Sequence, residues 1–401
     1  MNVLEAIPSV DTTSGGPIEW VKQFAANAIG RGHNVEIVSM DPPDSPAIRS
    51  CPLKVHACGP SKLLPYSYSP RFVPWLRQNA ARYDIVVVNG IWAFHSFGTW
   101  LGLRKFTTPY VVFTHGMLDP WFKHQYPVKH LKKCLYWPWS EYRVLRDASA
   151  VLFTSEEEKL LARESFSFYR CNEVTVGNGT SVMEGDRETQ IRAFLEHYPV
   201  LAGKRLALFM GRIHPKKGCD LLIRAFAKTL APLENWHLVL AGPDAAGWKK
   251  ELLSQSYSLS VSDRITWTGM LSGNEKWGAL MAAEMFLLPS HQENFGLVVS
   301  EALACRTPTL ISNKVNIWRE IVEDGAGIVA EDDFEGTCAL MRRWIELTSS
   351  ERLLMRERAR ACFEKRFEIG KVSASLLECF SGICAKHRAR CASETTTMAA
   401  A

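Results

Sequence analysis

The chain has 401 residues, of which 47% are apolar and 22% charged, with a formal net charge of +5. That length exceeds one ordinary hydrophobic core and predicts two domains. The mild basic excess, without dense Lys/Arg clusters, argues against a nucleic-acid binder and suits a phosphate-bearing substrate or an anionic membrane face.

Residues 3–7 read as a short buried strand. A polar, glycine-rich loop follows, Asp11-Thr12-Thr13-Ser14-Gly15-Gly16-Pro17. Pro17 suits the first turn of a helix that ends near Gly30 and Gly32. The opening residues are too short and acidic a stretch for a signal peptide. Further strands are expected at 35–38, 85–88, 110–113, 151–153 and 173–176, each with Gly, Asn, Ser or His at or just past its end. The run 85–103 lacks Lys, Arg, Asp and Glu. Asn89-Gly90 and His95-Ser96 interrupt it, so it reads as strand, loop and helix rather than a membrane span.

A polar stretch over 177–204, with Asn178-Gly179 and Pro199, is the expected linker. The second half repeats the theme with strands at 206–210, 237–242, 265–268, 285–288 and 309–311. A last strong helix is expected over about 372–385, and a disordered tail over 391–401. The 11 cysteines show no metal-ligand spacing and read as reduced thiols. Apolar strands alternating with helices predict parallel sheets covered on both faces, with ligands outside the carboxyl ends of the strands.

Four segments carry chemistry. Pro289 to Leu303 follows a strand and enters an apolar-striped helix, with Glu293 before the helix and Glu301 inside it. Asn294 is the expected cap, leaving the amides near Phe295, Gly296 and Leu297 to meet an anion. Met210-Gly211-Arg212-Ile213-His214-Pro215-Lys216-Lys217-Gly218 places cations after another strand, where a departing phosphoryl group needs them. Gly15 and Gly16 allow close backbone approach after the first strand. Phe113-Thr114-His115-Gly116-Met117-Leu118-Asp119-Pro120 ends a strand in a histidine. Beyond it, residues 121–146 mix aromatic and basic side chains. They read either as core plus a solvated basic face or as an interface to anionic lipid.

The stretch from Glu293 to Glu301 resembles the E-x7-E motif of the family 4 retaining glycosyltransferases, and Gly211 to Gly218 resembles that family's G-R-x-x-x-x-K-G signature. The resemblance spans almost the whole chain and extends to the H-G-M-L-D-P segment of bacterial polysaccharide transferases. It departs at Arg306, where the family commonly has glycine.

The resemblance implies a GT-B fold: two Rossmann-like domains, 1–180 and 181–370, with parallel sheets facing a central cleft, and a helix over 371–390 crossing back to the first domain. It implies transfer of a sugar from a nucleotide diphosphate to a hydroxyl acceptor, with retention, in surface-glycan biosynthesis. Glu293 would contact the donor sugar and Glu301 the ribose. Arg212 and Lys217 would meet the diphosphate, with Lys216 a competitor in register. Gly15, Gly16, Asn294, Phe295, Gly296 and Leu297 would line the donor, His115 would reach its reacting end, and Asp119 would orient the acceptor. A histidine that merely caps its strand is the alternative for His115. No metal or other cofactor is expected. The expected partners are a nucleotide-sugar donor, a sugar or lipid-linked saccharide acceptor, and an anionic membrane touched weakly through 121–146, in the cytoplasm or at the inner membrane face. A sugar-nucleotide-binding protein without turnover and a GT-B epimerase are the competing readings.

Overall fold

The computed structural model describes residues 1–11, 16–62, 66–183 and 185–399. Two compact units emerge: residues 1–178 with 369–401, and residues 179–368.

The first unit is built on a seven-stranded sheet: β1 (Asn2–Ile7), β2 (Asn34–Ser39), β3 (Val55–Ala57), β4 (Ile85–Asn89), β5 (Tyr110–Phe113), β6 (Ala150–Phe153) and β7 (Glu173–Thr175). All pairings are parallel, in the order β3-β2-β1-β4-β5-β6-β7. β-Branched runs such as Val86-Val87-Val88 make strands that are buried on both faces. Alternation then divides the core. Val3, Ile7, Val87 and Phe113 pack on one face, and Leu4, Ala6, Val86 and Val88 on the other. The charge-free run resolves into β4 and a helix over Phe94–Leu103.

The second unit repeats the design with β8 (Arg205–Met210), β9 (Trp236–Ala241), β10 (Ile265–Gly269), β11 (Met285–Leu288), β12 (Thr309–Ser312) and β13 (Gly327–Ala330). Its order is β10-β9-β8-β11-β12-β13, again parallel throughout. In both sheets the strand order reverses beside the first strand, between β1 and β4 and between β8 and β11. That reversal opens a crevice at the carboxyl ends of the strands, the usual ligand position in such sheets.

The final helix, Ile369–Ala399, belongs to the first unit. It packs Leu376, Leu377 and Phe380 into the same face as Val3 and Phe24, with the Phe24 and Phe380 rings 6.1 Å apart. It also runs beyond the expected 385, through Lys386, Arg388, Ala389 and Arg390, which favour helix, and on into the segment expected to be disordered. Among the described residues, no helix is long and apolar enough to cross a membrane.

Candidate active site

In the second unit the two sharpest motifs occupy the two loops at the strand-order reversal. The loop after β8 closes in a single 3₁₀ turn, Pro215–Lys217, whose first orphan amide is met when Lys216 N donates to His214 Nδ1 at 3.1 Å. Gly218 turns the chain with φ +66°, and a Cβ there would lie 2.3 Å from the Pro289 carbonyl oxygen. His291 N donates to Lys216 O at 2.9 Å, so the loops after β8 and β11 are tied together. This contact requires glycine at 218, because both the left-handed φ and the close approach exclude a side chain.

The tie brings Lys217 Nζ against the Glu293 carboxylate as an ion pair. Burial and the neighbouring Lys216 and Arg212 charges push the Lys217 ammonium down to about 7. The adjacent Glu293 carboxylate pulls the other way, since an opposite charge in contact favours the charged ammonium. Glu293 itself is fixed by its backbone, donating to Lys314 O at 2.9 Å and accepting from Asn316 N at 3.0 Å. Arg212 stands exposed, with no ion pair among the described residues.

The helix Leu297–Ala304 starts differently from the expectation. Gly296, with φ 72°, is its N-cap, and Asn294 is not. That left-handed turn favours glycine, and Glu293 Cγ and Val299 Cγ2 leave a Cβ little room, at 3.3 and 3.0 Å from where it would stand. Asn294 instead accepts a long contact from Asn316 Nδ2 at 3.4 Å. The amides of Phe295 and Gly296 have no partner among the described residues.

Glu301 lies in this helix and is buried. Its Oε1 accepts from Lys276 Nζ at 2.6 Å, whereas the buried Oε2 has no hydrogen-bond partner. Burial raises its carboxyl above the usual range, and the Lys276 charge partly opposes that. Such a half-satisfied carboxylate is costly unless a donor completes it. Lys276, on the helix Gly273–Ala282, is a site residue that sequence reasoning missed.

In the first unit, Gly15 lies outside the described residues, and Gly16 starts the helix Gly16–Gly30. His115 follows β5 with φ 49°, a left-handed position uncommon for a histidine. Its ring stacks on Phe113 at 4.8 Å and meets the edge of Trp20. Burial, then the neighbouring His95, drive its imidazole down to about 3, so it is neutral. Asn89, at the end of β4, determines which nitrogen carries the proton. Asn89 Nδ2 donates to Glu5 Oε2 at 2.6 Å, which leaves Asn89 Oδ1 to accept from His115 Nε2 at 3.0 Å. Nδ1 is therefore the free acceptor of His115.

Glu5 is fully buried in β1, and burial lifts its carboxyl to about 8. The turn beyond His115 hangs on Glu158, whose Oε1 accepts from Thr114 Oγ1 at 2.7 Å and Gly116 N at 2.6 Å. Asp119 Oδ1 accepts from Trp121 N at 2.8 Å, so its carboxylate starts the next helix. Glu5, Asn89 and Glu158 were not anticipated. The only trace of them was Asn89-Gly90 at a strand end, which had been read as a chain interruption.

Residues 121–146 divide between the two readings. Trp137 is core, stacked on Phe166 at 4.5 Å. The helix Pro127–Tyr136 instead exposes Val128, Leu131 and Leu135, at 69%, 63% and 71%, along one stripe.

Two family models match the chain: "Glycosyl transferase 4-like domain" over residues 15–179 and "Glycosyl transferases group 1" over 192–361. Among curated relatives, a D-inositol 3-phosphate glycosyltransferase of Kineococcus radiotolerans is 35% identical over 136 residues, 32% of this chain and 31% of that protein. An alpha-D-kanosaminyltransferase of Streptomyces kanamyceticus is 27% identical over 48% of this chain and 49% of its own length. The chain thus matches a third to a half of the length of these relatives. Among solved structures, a sucrose-phosphate synthase of Thermosynechococcus elongatus superposes with a TM-score of 0.75 at 19% identity, covering 96% of this chain and 99% of that one. HepE of Anabaena, in complex with UDP and glucose, gives 0.73 at 18% identity, over 95% of this chain and 100% of its own.

Proposed function

The chain belongs to the family 4 glycosyltransferases of GT-B fold, and from that premise we propose that it moves a sugar from a nucleotide diphosphate onto a hydroxyl acceptor with retention. The observation that carries the reading is Glu301: a buried carboxylate at the strand-order reversal, paired on one oxygen and open on the other. Vicinal ribose hydroxyls are donors of the required kind. The diphosphate then falls to the free amides of Phe295 and Gly296, to Arg212 and to Lys217, which neutralise charge as it builds on the leaving group. Glu293 moves from its ion pair with Lys217 to the donor sugar. In the first unit, the Nδ1 lone pair of His115 accepts a sugar hydroxyl, and Asp119 with residues 121–146 forms the acceptor side. With cations already supplied by the protein, no divalent metal is needed.

HepE of Anabaena was solved with UDP and glucose, so UDP-sugars are the first donors to test, and a surface glycan precursor at the inner membrane face is the first acceptor class. The test is incubation with a panel of sugar nucleotides, with and without EDTA, while nucleoside diphosphate release is measured. Release with one donor that survives EDTA supports the reading. Tight binding without release would make the chain a sugar-nucleotide-binding protein, and release that EDTA abolishes would overturn the metal-free mechanism.

A further inference from the structure

Beside the His115 turn lies a small cavity that no part of the donor chemistry uses. Its wall begins at Met117 and closes with the helices Trp121–Gln125 and Pro127–Tyr136 and with Phe166. It holds about 50 Å³. One water needs about 10–15 Å³, so a group of phosphoryl size fits.

Lys123, Lys129, Lys133 and His130 line it, with Asp119 the single carboxylate. Oδ1 of that carboxylate is engaged at Trp121 N. None of the three lysines has an ion-pair partner among the described residues. Lys133 is the most withdrawn. Its Nζ sits over the Trp92 ring at 4.4 Å and the Phe122 ring at 5.8 Å, and burial lowers the pKa of its ammonium. Aromatic faces offset only part of the cost of a desolvated cation, and an anion would offset the rest. The charge of the buried Glu141 carboxylate opposes that lowering in part, but its oxygens accept from Ser96 Oγ and Trp92 N rather than from Lys133 Nζ.

We propose that this cavity is a subsite for a phosphoryl group, held between Lys129 and Lys133. The ligand class is a phosphate ester on the acceptor. This assignment rests on the reading of the first unit as the acceptor side, although phosphoryl binding itself does not depend on turnover. Two sources share the chemistry: a soluble sugar or polyol phosphate, and the headgroup phosphate of a lipid.

The experiment is residue-resolved amine acetylation of the full chain, read by mass spectrometry, in inorganic phosphate, in chloride of equal ionic strength, and with vesicles of phosphatidylcholine and phosphatidylglycerol. Phosphate is expected to slow modification of Lys129 and Lys133 several-fold while leaving Lys132, exposed on the same helix and outside the cavity, unchanged. Lys133→Gln should keep the thermal midpoint and abolish protection of Lys129. Protection by vesicles alone, confined to Lys129 and Lys133, would assign the phosphate to a lipid headgroup. Equal rates in all three media, or equal protection of Lys132 by inorganic phosphate, would overturn the subsite. Nucleoside diphosphate release measured on the same samples separates the two ideas. Release without protection removes the subsite and keeps the transferase, and protection without release does the reverse.

Discussion

Lys217 sits where two influences oppose: burial beside Arg212 and Lys216 pushes its proton off, and Glu293 holds it on. A leaving diphosphate reinforces the second influence, so Lys217 gains most as charge develops. Lys217→Ala should lower kcat by a hundred- to a thousandfold, the effect of about 2.7–4 kcal/mol for one such donor. Glu301 acts alike before and during transfer, so Glu301→Gln should raise the donor KM with a smaller effect on kcat. The expected weakening is about 1.5–3 kcal/mol, the scale of a charge-assisted hydrogen bond. Steady-state kinetics of the two variants check both, and an unchanged kcat in Lys217→Ala would shift the charge to Arg212 or Lys216. Glu5 offers a test that needs no substrate. Its folded carboxyl titrates near 8, above the unfolded value, so the folded chain keeps a proton that the unfolded chain has lost. That stability is full below the unfolded pKa and disappears as pH rises through about 8. Glu5→Gln retains an acceptor for Asn89 and carries no such proton. The midpoint of the variant should therefore rise relative to wild type between about pH 5 and pH 8, with a slope of at most one proton, about 1.4 kcal/mol per pH unit. A difference that stays constant with pH would show that Glu5 is already ionised in the fold.

At the scale of elements, the site depends on how closely the loops after β8 and β11 approach. Gly218→Ala meets a left-handed φ, costing about 1–2 kcal/mol, and places a Cβ 2.3 Å from Pro289 O. Gly203, with φ +71° and open space around it, isolates the first cost. Gly218→Ala should lower the thermal midpoint more than Gly203→Ala and should lose turnover as well. Equal shifts would mean that the loops can part without consequence. The same contrast explains what was legible in the sequence. The central strands were visible because burial on both faces leaves unbroken apolar runs, as in Val86-Val87-Val88. The edge strands β3 and β13 were not, because they are three and four residues long and mostly half-buried; β7, equally short, was legible because Val174-Thr175-Val176 is β-branched throughout. The motif residues Arg212, Lys217, Glu293 and Glu301 could be singled out through the resemblance of two short segments to family motifs, because each motif lies within one loop and helix start. Lys276 was invisible, because only tertiary packing brings its helix against Glu301. The helix start went to Asn294 on side-chain preference, whereas the chain turns through a left-handed φ of +72° at 296, where glycine is favoured.

At the scale of the whole molecule, each unit is a complete parallel sheet with its own core, and the final helix closes the first by covering the face that holds Glu5. One surface of that unit is left unexplained by folding alone. The helix Pro127–Tyr136 shows Val128, Leu131 and Leu135 to solvent at spacings of three and four, with Trp139 exposed beyond them. Lys129, Lys132 and Lys133 flank that stripe, and among the described residues the helix itself carries no acidic side chain. An apolar stripe bordered by lysines is the pattern of a helix that lies in the headgroup layer of an anionic bilayer. Each basic residue near such a surface contributes about 1 kcal/mol, so three lysines and the stripe suffice for reversible attachment. Full-length protein should sediment with vesicles containing phosphatidylglycerol at low ionic strength and be released by salt, because the attraction is screened. Leu131→Glu with Leu135→Glu should abolish sedimentation while leaving the thermal midpoint nearly unchanged, since both side chains already face water. Lys132→Glu should weaken it and make its salt dependence shallower, because removing one cation leaves fewer charges to screen. Absence of sedimentation at low salt, or retention by the double glutamate variant, would return the stripe to a solvated surface and detach the acceptor side from the membrane.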